Sequence, residues 1–145
     1  MDDIDAQVML VSGIAAFEAK EFRRAMQLLS ALAEGGEPDA QFRVAVMCQN
    51  GLGGVPNPER ALRCMRAAAE QGHALAQHGF GVMYLYGECV DKDPARAAEW
   101  FRRGAEQGLA GSMASLAMMY EQGLGVERDV EAARRLYERA GMGVP

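Results

Sequence analysis

His73 and His78 are the only histidines in 145 residues, and Cys48, Cys64 and Cys89 are the only cysteines. No CxxC, HExxH or Cys/His cluster joins them, so a zinc site lacks its ligands. Five residues apart, the histidines fall on different faces of a helix. An odd number of cysteines closes no disulfide framework. The reading for all three is the buried or semi-buried free thiol, with one regulatory disulfide as the alternative. A basic excess is also missing. The net charge of −5 offers nothing to displace counterions from a nucleic acid. The apolar run from Val8 to Phe17 is too short to span a bilayer. The opening Met1-Asp2-Asp3-Ile4-Asp5 is acidic where a secretory signal is basic, so a cytoplasmic location is expected.

Catalytic signatures are absent too. There is no GxxxxGK[ST], no GxGxxG after a strand and no GxSxG. Ser112 and Ser115 have no neighbouring histidine. Asp91-Lys92-Asp93-Pro94 lacks the central Gly and terminal Glu of a calcium loop. No catalytic residue, metal or cofactor is assigned, and the chain reads as a non-enzyme. Period-two alternation bounded by hairpin turns is missing, so no strand is expected.

What is present is a repeat. The stretch Gly79–Gly108 holds an apolar segment, a Gly- and Asp-marked turn, a Pro-started second segment and a closing Gly. Thirty-six residues earlier Ala97 becomes Ala61, Phe101 becomes Met65 and Gly108 becomes Gly72. Thirty-six later Tyr84 becomes Tyr120, Gly87 becomes Gly123 and Phe101 becomes Tyr137. Periods of this length mark stacked arrays. The expected units are about 1–36, 37–72, 73–108 and 109–145, forming a single domain of eight helices in four antiparallel pairs. Asn57, Asp93 and Asp129 read as N-caps, with Pro58 and Pro94 at the first helical position.

The second helices carry small–large–small stripes: Ala25-Leu29-Leu32, Ala61-Met65-Ala68, Ala97-Phe101-Gly104 and Ala133-Tyr137-Ala140. Small residues let helix axes approach, and large ones fill the groove beside them. One pair cannot bury both of its faces, so each requires a neighbour. Met47, Met83 and Met119 recur at one repeat position, which favours core filling over a soft-metal site.

These units resemble Sel1-like repeats, relatives of the tetratricopeptide repeat. The third supplies Ala76, Phe80-Gly81, Tyr84, Gly87, Val90, Asp93, Ala97, Trp100-Phe101 and Ala105-Glu106-Gln107-Gly108. The fourth supplies Leu116-Ala117, Tyr120, Gly123-Leu124-Gly125-Val126, Asp129, Ala133 and Tyr137. The second supplies Ala40, Val44-Ala45, Gly51-Leu52-Gly53, Ala61 and Ala68-Ala69-Glu70-Gln71-Gly72. The match covers residues 37–140. The first unit departs, with nine residues from Ala16 to Ala25 where Tyr84 to Ala97 spans thirteen, which is tetratricopeptide-like spacing and suits an atypical N-terminal cap. The last unit lacks the extra solvating helix that often closes such arrays.

The resemblance implies an all-α, right-handed α/α superhelix, or solenoid. It implies a scaffold or adaptor, usually bacterial when so short, that binds another protein on its concave face. Some cysteine-rich members were linked to β-lactamase activity. Cys48, Cys64 and Cys89 do not reproduce their paired spacing, so a hydrolase is only a remote alternative. In that architecture the concave strip takes Leu10, Ile14, Phe17 and Glu18 from the first unit and Phe42, Val46, Gln49 and Asn50 from the second. The third gives His78, Val82, Leu85 and Tyr86, and the fourth Ala114, Met118, Glu121 and Gln122. The strip is expected to hold a partner peptide or helix, the competing reading being burial between helices. A second expectation is a homo-oligomer formed through the C-terminal end at Leu136, Tyr137 and Met142. No nucleic acid and no membrane span are expected.

Overall fold

A computed structural model describes residues 2–141. Its elements are α1 (Asp3–Glu18), α2 (Phe22–Glu34), α3 (Pro38–Asn50), α4 (Pro58–Glu70), α5 (Ala74–Tyr86), α6 (Pro94–Glu106), α7 (Ala110–Gln122) and α8 (Val130–Arg139). The described residues contain no strand. Each odd-numbered helix packs on the even-numbered helix that follows it, so the protein is all-α and built of helix pairs.

The helices start where the sequence places caps. Asn57 accepts from the Arg60 amide at 3.1 Å, Asp93 from that of Arg96 at 3.2 Å, and Asp129 from that of Ala132 at 3.0 Å. Such a bond satisfies one of the free amides of a first helical turn. The same three residues also donate their own backbone amides backwards. Asn57 reaches the Cys48 carbonyl at 2.8 Å, Asp93 that of Tyr84 at 2.9 Å, and Asp129 that of Tyr120 at 2.9 Å. The α3–α4, α5–α6 and α7–α8 loops are therefore each pinned at both ends. The α1–α2 turn lacks this device. Glu21 makes no side-chain cap, and its amide instead reaches Ala16 at 2.8 Å.

The chain divides into two compact units at His73. In the first, α1–α4 bury Ala25, Leu29, Ala33, Val44, Ala45, Met47, Ala61, Met65 and Ala68. The stripe on α2 ends on Ala33, because Leu32 remains half exposed. Buried Gln41 ties three elements together. Its Nε2 donates to the Ala33 carbonyl at 3.2 Å, and its Oε1 accepts from Gln71 at 2.8 Å. In the second unit, α5–α8 bury Phe80, Met83, Ala97, Phe101, Leu116, Ala117, Met119 and Ala133. Gln107 donates to buried Gln77 there at 2.8 Å, the counterpart of the Gln71–Gln41 bond. The three repeat-position methionines are fully buried, as core filling requires.

The small residues of the stripes mark close approaches. A Cβ on Gly104 would lie 2.4 Å from the Ser112 hydroxyl, and one on Gly81 would lie 2.8 Å from the Phe101 ring. Gly81–Phe101 corresponds to Ala45–Met65 one repeat earlier, where the slimmer side chain faces the extra methyl. Gly81→Ala should therefore destabilise by roughly 1–3 kcal/mol through overpacking. Phe101→Met in the same chain should recover part of that loss, and a double-mutant cycle in chemical denaturation reads the coupling.

Cys89 occupies a left-handed backbone position at φ 63°, where the repeats on either side carry Gly53 and Gly125 at φ 75° and 71°. A side chain with a Cβ is disfavoured in that conformation. Cys89→Gly should stabilise the protein by about 0.5–1 kcal/mol, after allowing for the greater freedom of glycine in the unfolded chain. Urea denaturation under reducing conditions measures this.

Candidate binding surface

In the first unit the strip residues gather around a side chain that the repeat register does not select. The Arg43 guanidinium lies 5.9 Å from the ring centres of both Phe17 and Phe42. Phe17 also meets Phe22 edge-on at 5.7 Å, and Phe42 stacks on His73 at 5.1 Å. Asp39 fastens the array, accepting from His73 Nε2 at 2.9 Å while its backbone carbonyl accepts from Arg43 at 3.1 Å. The Arg43 Nε is buried without a hydrogen-bond partner. The result is a row of rings bridged by one cation and one carboxylate. Phe17, Phe42 and Val46 are each largely but not fully covered. Leu10 and Ile14 are largely but not fully covered as well. Gln49 is partly buried, and the exposed Asn50 uses its amide on the Val46 carbonyl at 2.9 Å.

In the second unit the strip is more uneven. Tyr86 is 64% exposed, and Val82 and Met118 are largely but not fully covered. Leu85 is only 5% exposed and is withdrawn from the strip. Phe80, Met83 and Tyr84 on the same helix are buried too, and Leu85 joins that core. The same register holds Gln49 on α3 and Glu121 on α7, which reach water. Glu121 is exposed but engaged, accepting from the Tyr137 hydroxyl at 2.6 Å. That bond, with burial, pushes Tyr137 up to about 12. Gln122 is exposed and Ala114 partly covered. His78 is half buried, with Nδ1 3.0 Å from the Ser112 hydroxyl. Of the proposed C-terminal contact, Leu136 is buried to 9% exposure, Tyr137 is bonded to Glu121, and Met142 lies outside the described residues.

Little here resembles reaction chemistry. Among the described residues no group of three or more His, Cys, Asp or Glu is placed to hold a metal. Cys48 and Cys64 are buried free thiols, and desolvation pushes both above the ordinary thiol value. Among the described residues no helix is long and apolar enough to cross a membrane. Three features escaped the sequence reading: the Arg43 bridge, the His73–Phe42 stack, and the His78–Ser112 contact, which gives Ser112 the histidine neighbour that sequence proximity did not show. A histidine falling next after a closing Gly72 was the available signal, since its backbone amide is held by Ala68 and its ring turns back onto α3.

The Sel1 repeat family model matches residues 38–73, 74–109 and 110–143. The chain belongs to the Sel1 repeat family. Among solved structures it is similar to a Sel1 repeat protein from Oxalobacter formigenes, with 31% identity and a TM-score of 0.87 over 92% of this chain and 53% of that one. It is also similar to a protective antigen of uropathogenic Escherichia coli strains displaying an SLR fold, with 33% identity and a TM-score of 0.86 over 94% of this chain and 30% of that one. The chain thus spans about half of the first relative and less than a third of the second. Helicobacter pylori cysteine rich protein B shares the fold at 18% identity, with a TM-score of 0.65 over 83% of this chain and 86% of that one. A comparison with curated proteins gives no match. Sel1 repeats are generally protein–protein interaction modules, and proteins built of them are typically non-catalytic scaffolds.

Burial holds the His78 imidazole below its ordinary value, so the folded state resists its protonation. The unfolded chain binds that proton near the ordinary value of about 6.5 and so holds more protons than the fold as pH drops through it. Stability should fall between about pH 7 and about pH 5 for this reason. His78→Gln, which retains a partner for Ser112, should show a smaller fall when denaturation midpoints are compared at the two ends of that range.

Proposed function

We propose that this chain is a non-catalytic adaptor whose odd-numbered helices hold a peptide or helix of another protein. The observation that carries the reading is the incomplete covering of large side chains at one repeat register. Phe17, Phe42, Val46 and Val82 are largely but not fully covered, and Tyr86 is largely open. Aromatic side chains held in place but left accessible lose little conformational freedom on binding, which suits them as anchors. The Arg43 array strengthens this, since its cation and carboxylate fix the Phe42 ring before any partner arrives. Gln49, Asn50, Gln122 and Glu121 supply a polar rim to the set, and Leu10, Ile14, His78 and Met118 complete it. Leu85 is omitted because it is buried. The absence of a membrane-length helix among the described residues and the three free thiols accord with a reducing, cytoplasmic setting.

The test is quantitative affinity capture from the native host's lysate with three folded baits: wild type, Tyr86→Glu and Phe42→Ala. A protein retained by wild type and reduced about tenfold or more by both variants fits loss of one or two anchors. Capture that is identical for all three baits would remove the strip from the binding surface.

A further inference from the structure

One face of α1 leaves a continuous apolar stripe open. Ile4 is 75% exposed, and Val8 and Val11 are each 58% exposed. With exposed Ala15 they recur at intervals of four, three and four residues, one stripe along a helix. The stripe lies about 120° around α1 from Leu10, Ile14 and Phe17, so it is separate from the strip discussed above. Asp3 and Asp5 flank it on either side, and no basic residue precedes Lys20. Asp2 is occupied in capping the helix, with its Oδ1 2.8 Å from the Asp5 amide.

The second unit carries a surface of opposite character. A groove of about 350 Å³ runs between α6 and α8 over the floor of α7. Leu116, Leu136, Ala105 and Ala132 line it, and Arg102, Arg135 and Arg139 rim it, with Glu106 as its one acid. Five of the ten other arginines are paired with carboxylates: Arg43 with Asp39, Arg60 and Arg63 with Glu34, Arg96 with Asp93, and Arg134 with Glu131 and Glu138. None of the three groove arginines is paired with a carboxylate among the described residues; Arg102 donates only to the Tyr120 hydroxyl at 3.2 Å. An open basic groove with an apolar floor accepts an amphipathic helix whose apolar stripe is edged with acids.

We infer that this chain self-associates head to tail, the α1 stripe of one copy lying in the α6–α7–α8 groove of the next. Ile4, Val8 and Val11 enter over Leu116 and Leu136, and Asp3 and Asp5 face the unpaired arginines. The contact deepens the expectation of self-association but moves it from the C-terminal tip to two surfaces with opposite charge. It uses none of the adaptor strip, so either can fail alone. Because the two surfaces differ, the contact is heterologous and yields rings if the rotation closes or filaments if it does not.

The experiment is sedimentation velocity on wild type, on Asp3→Arg/Asp5→Arg and on Arg135→Glu/Arg139→Glu, each first shown helical by circular dichroism. Val8→Glu, at an exposed position, serves as a further variant that leaves the core untouched. Wild type should assemble to at least twice its 15.7 kDa, less so at high salt, where charge attraction is screened. Each swapped variant should weaken assembly by about tenfold or more, because like charges then face each other. An equimolar mixture of the two swapped variants should assemble again, since each stripe now meets a groove of opposite sign in the other variant. Wild type that stays monomeric at about 1 mM, a concentration at which even a weak specific contact forms, overturns the proposal. So do swapped variants that assemble like wild type, or a mixture that does not recover.

Discussion

The backbone amide of the N-cap residue, held by a carbonyl nine residues earlier, sets the geometry of the repeat. Asn57, Asp93 and Asp129 each make this bond, and each also caps the helix that follows. One residue thus closes the loop and starts the next helix in a fixed direction. Which side chains of the two helices meet then follows from loop length. Phe101 on α6 reaches Gly81 on α5 because the start of α6 is fixed in both position and direction. Leaving those amides unpaired in a tight loop would cost about as much as a lost hydrogen bond each, roughly 1 kcal/mol.

The loops also support the pair that precedes them. A Cβ on Gly53 would fall 2.7 Å from the Phe22 carbonyl carbon, and one on Gly125 would fall 2.4 Å from that of Pro94. The loop between two helices therefore rests on the first turn of the preceding pair's second helix. In unit one this matters doubly, because the α1–α2 turn has no capped N-terminus of its own. The start of α2 is held from outside by the α3–α4 loop. A shortened first turn is tolerated because its neighbour supplies the missing constraint.

Much of this was legible in the residues. The helix starts followed from Asn57-Pro58, Asp93-Pro94 and Asp129, since cap chemistry is local. The small positions followed from the period, since one tight contact repeated three times leaves the same small side chain three times. The binding strip was legible only in register. Counting from Gly81 names the right helix face, but it does not say whether a side chain on that face is covered. Leu85 is covered and Tyr86, its neighbour, is not. That difference depends on how much apolar surface surrounds each position, which lies in other parts of the chain. Arg43 shows the same limit. An arginine within an apolar helix reads as solvated, yet its guanidinium lies between Phe17 and Phe42 because Asp39, one turn back, and His73, thirty-four residues on from Asp39, complete the array.

The α7–α8 pair shows how two apolar positions of the repeat can turn polar together. Leu85 of α5 becomes Glu121 on α7, and Phe101 of α6 becomes Tyr137 on α8. The two replacements are coupled, since the new hydroxyl donates to the new carboxylate at 2.6 Å. An isolated carboxylate beside a ring would lose hydration without compensation, and an isolated tyrosine hydroxyl would need water. Together they satisfy each other while the tyrosine ring keeps the place that Phe101 fills one repeat earlier. Beside α8 an apolar groove remains open, rimmed by three arginines. The α1 stripe is dressed in the opposite way, with bare valines edged by aspartates, and two unlike surfaces favour a heterologous contact over one between identical faces.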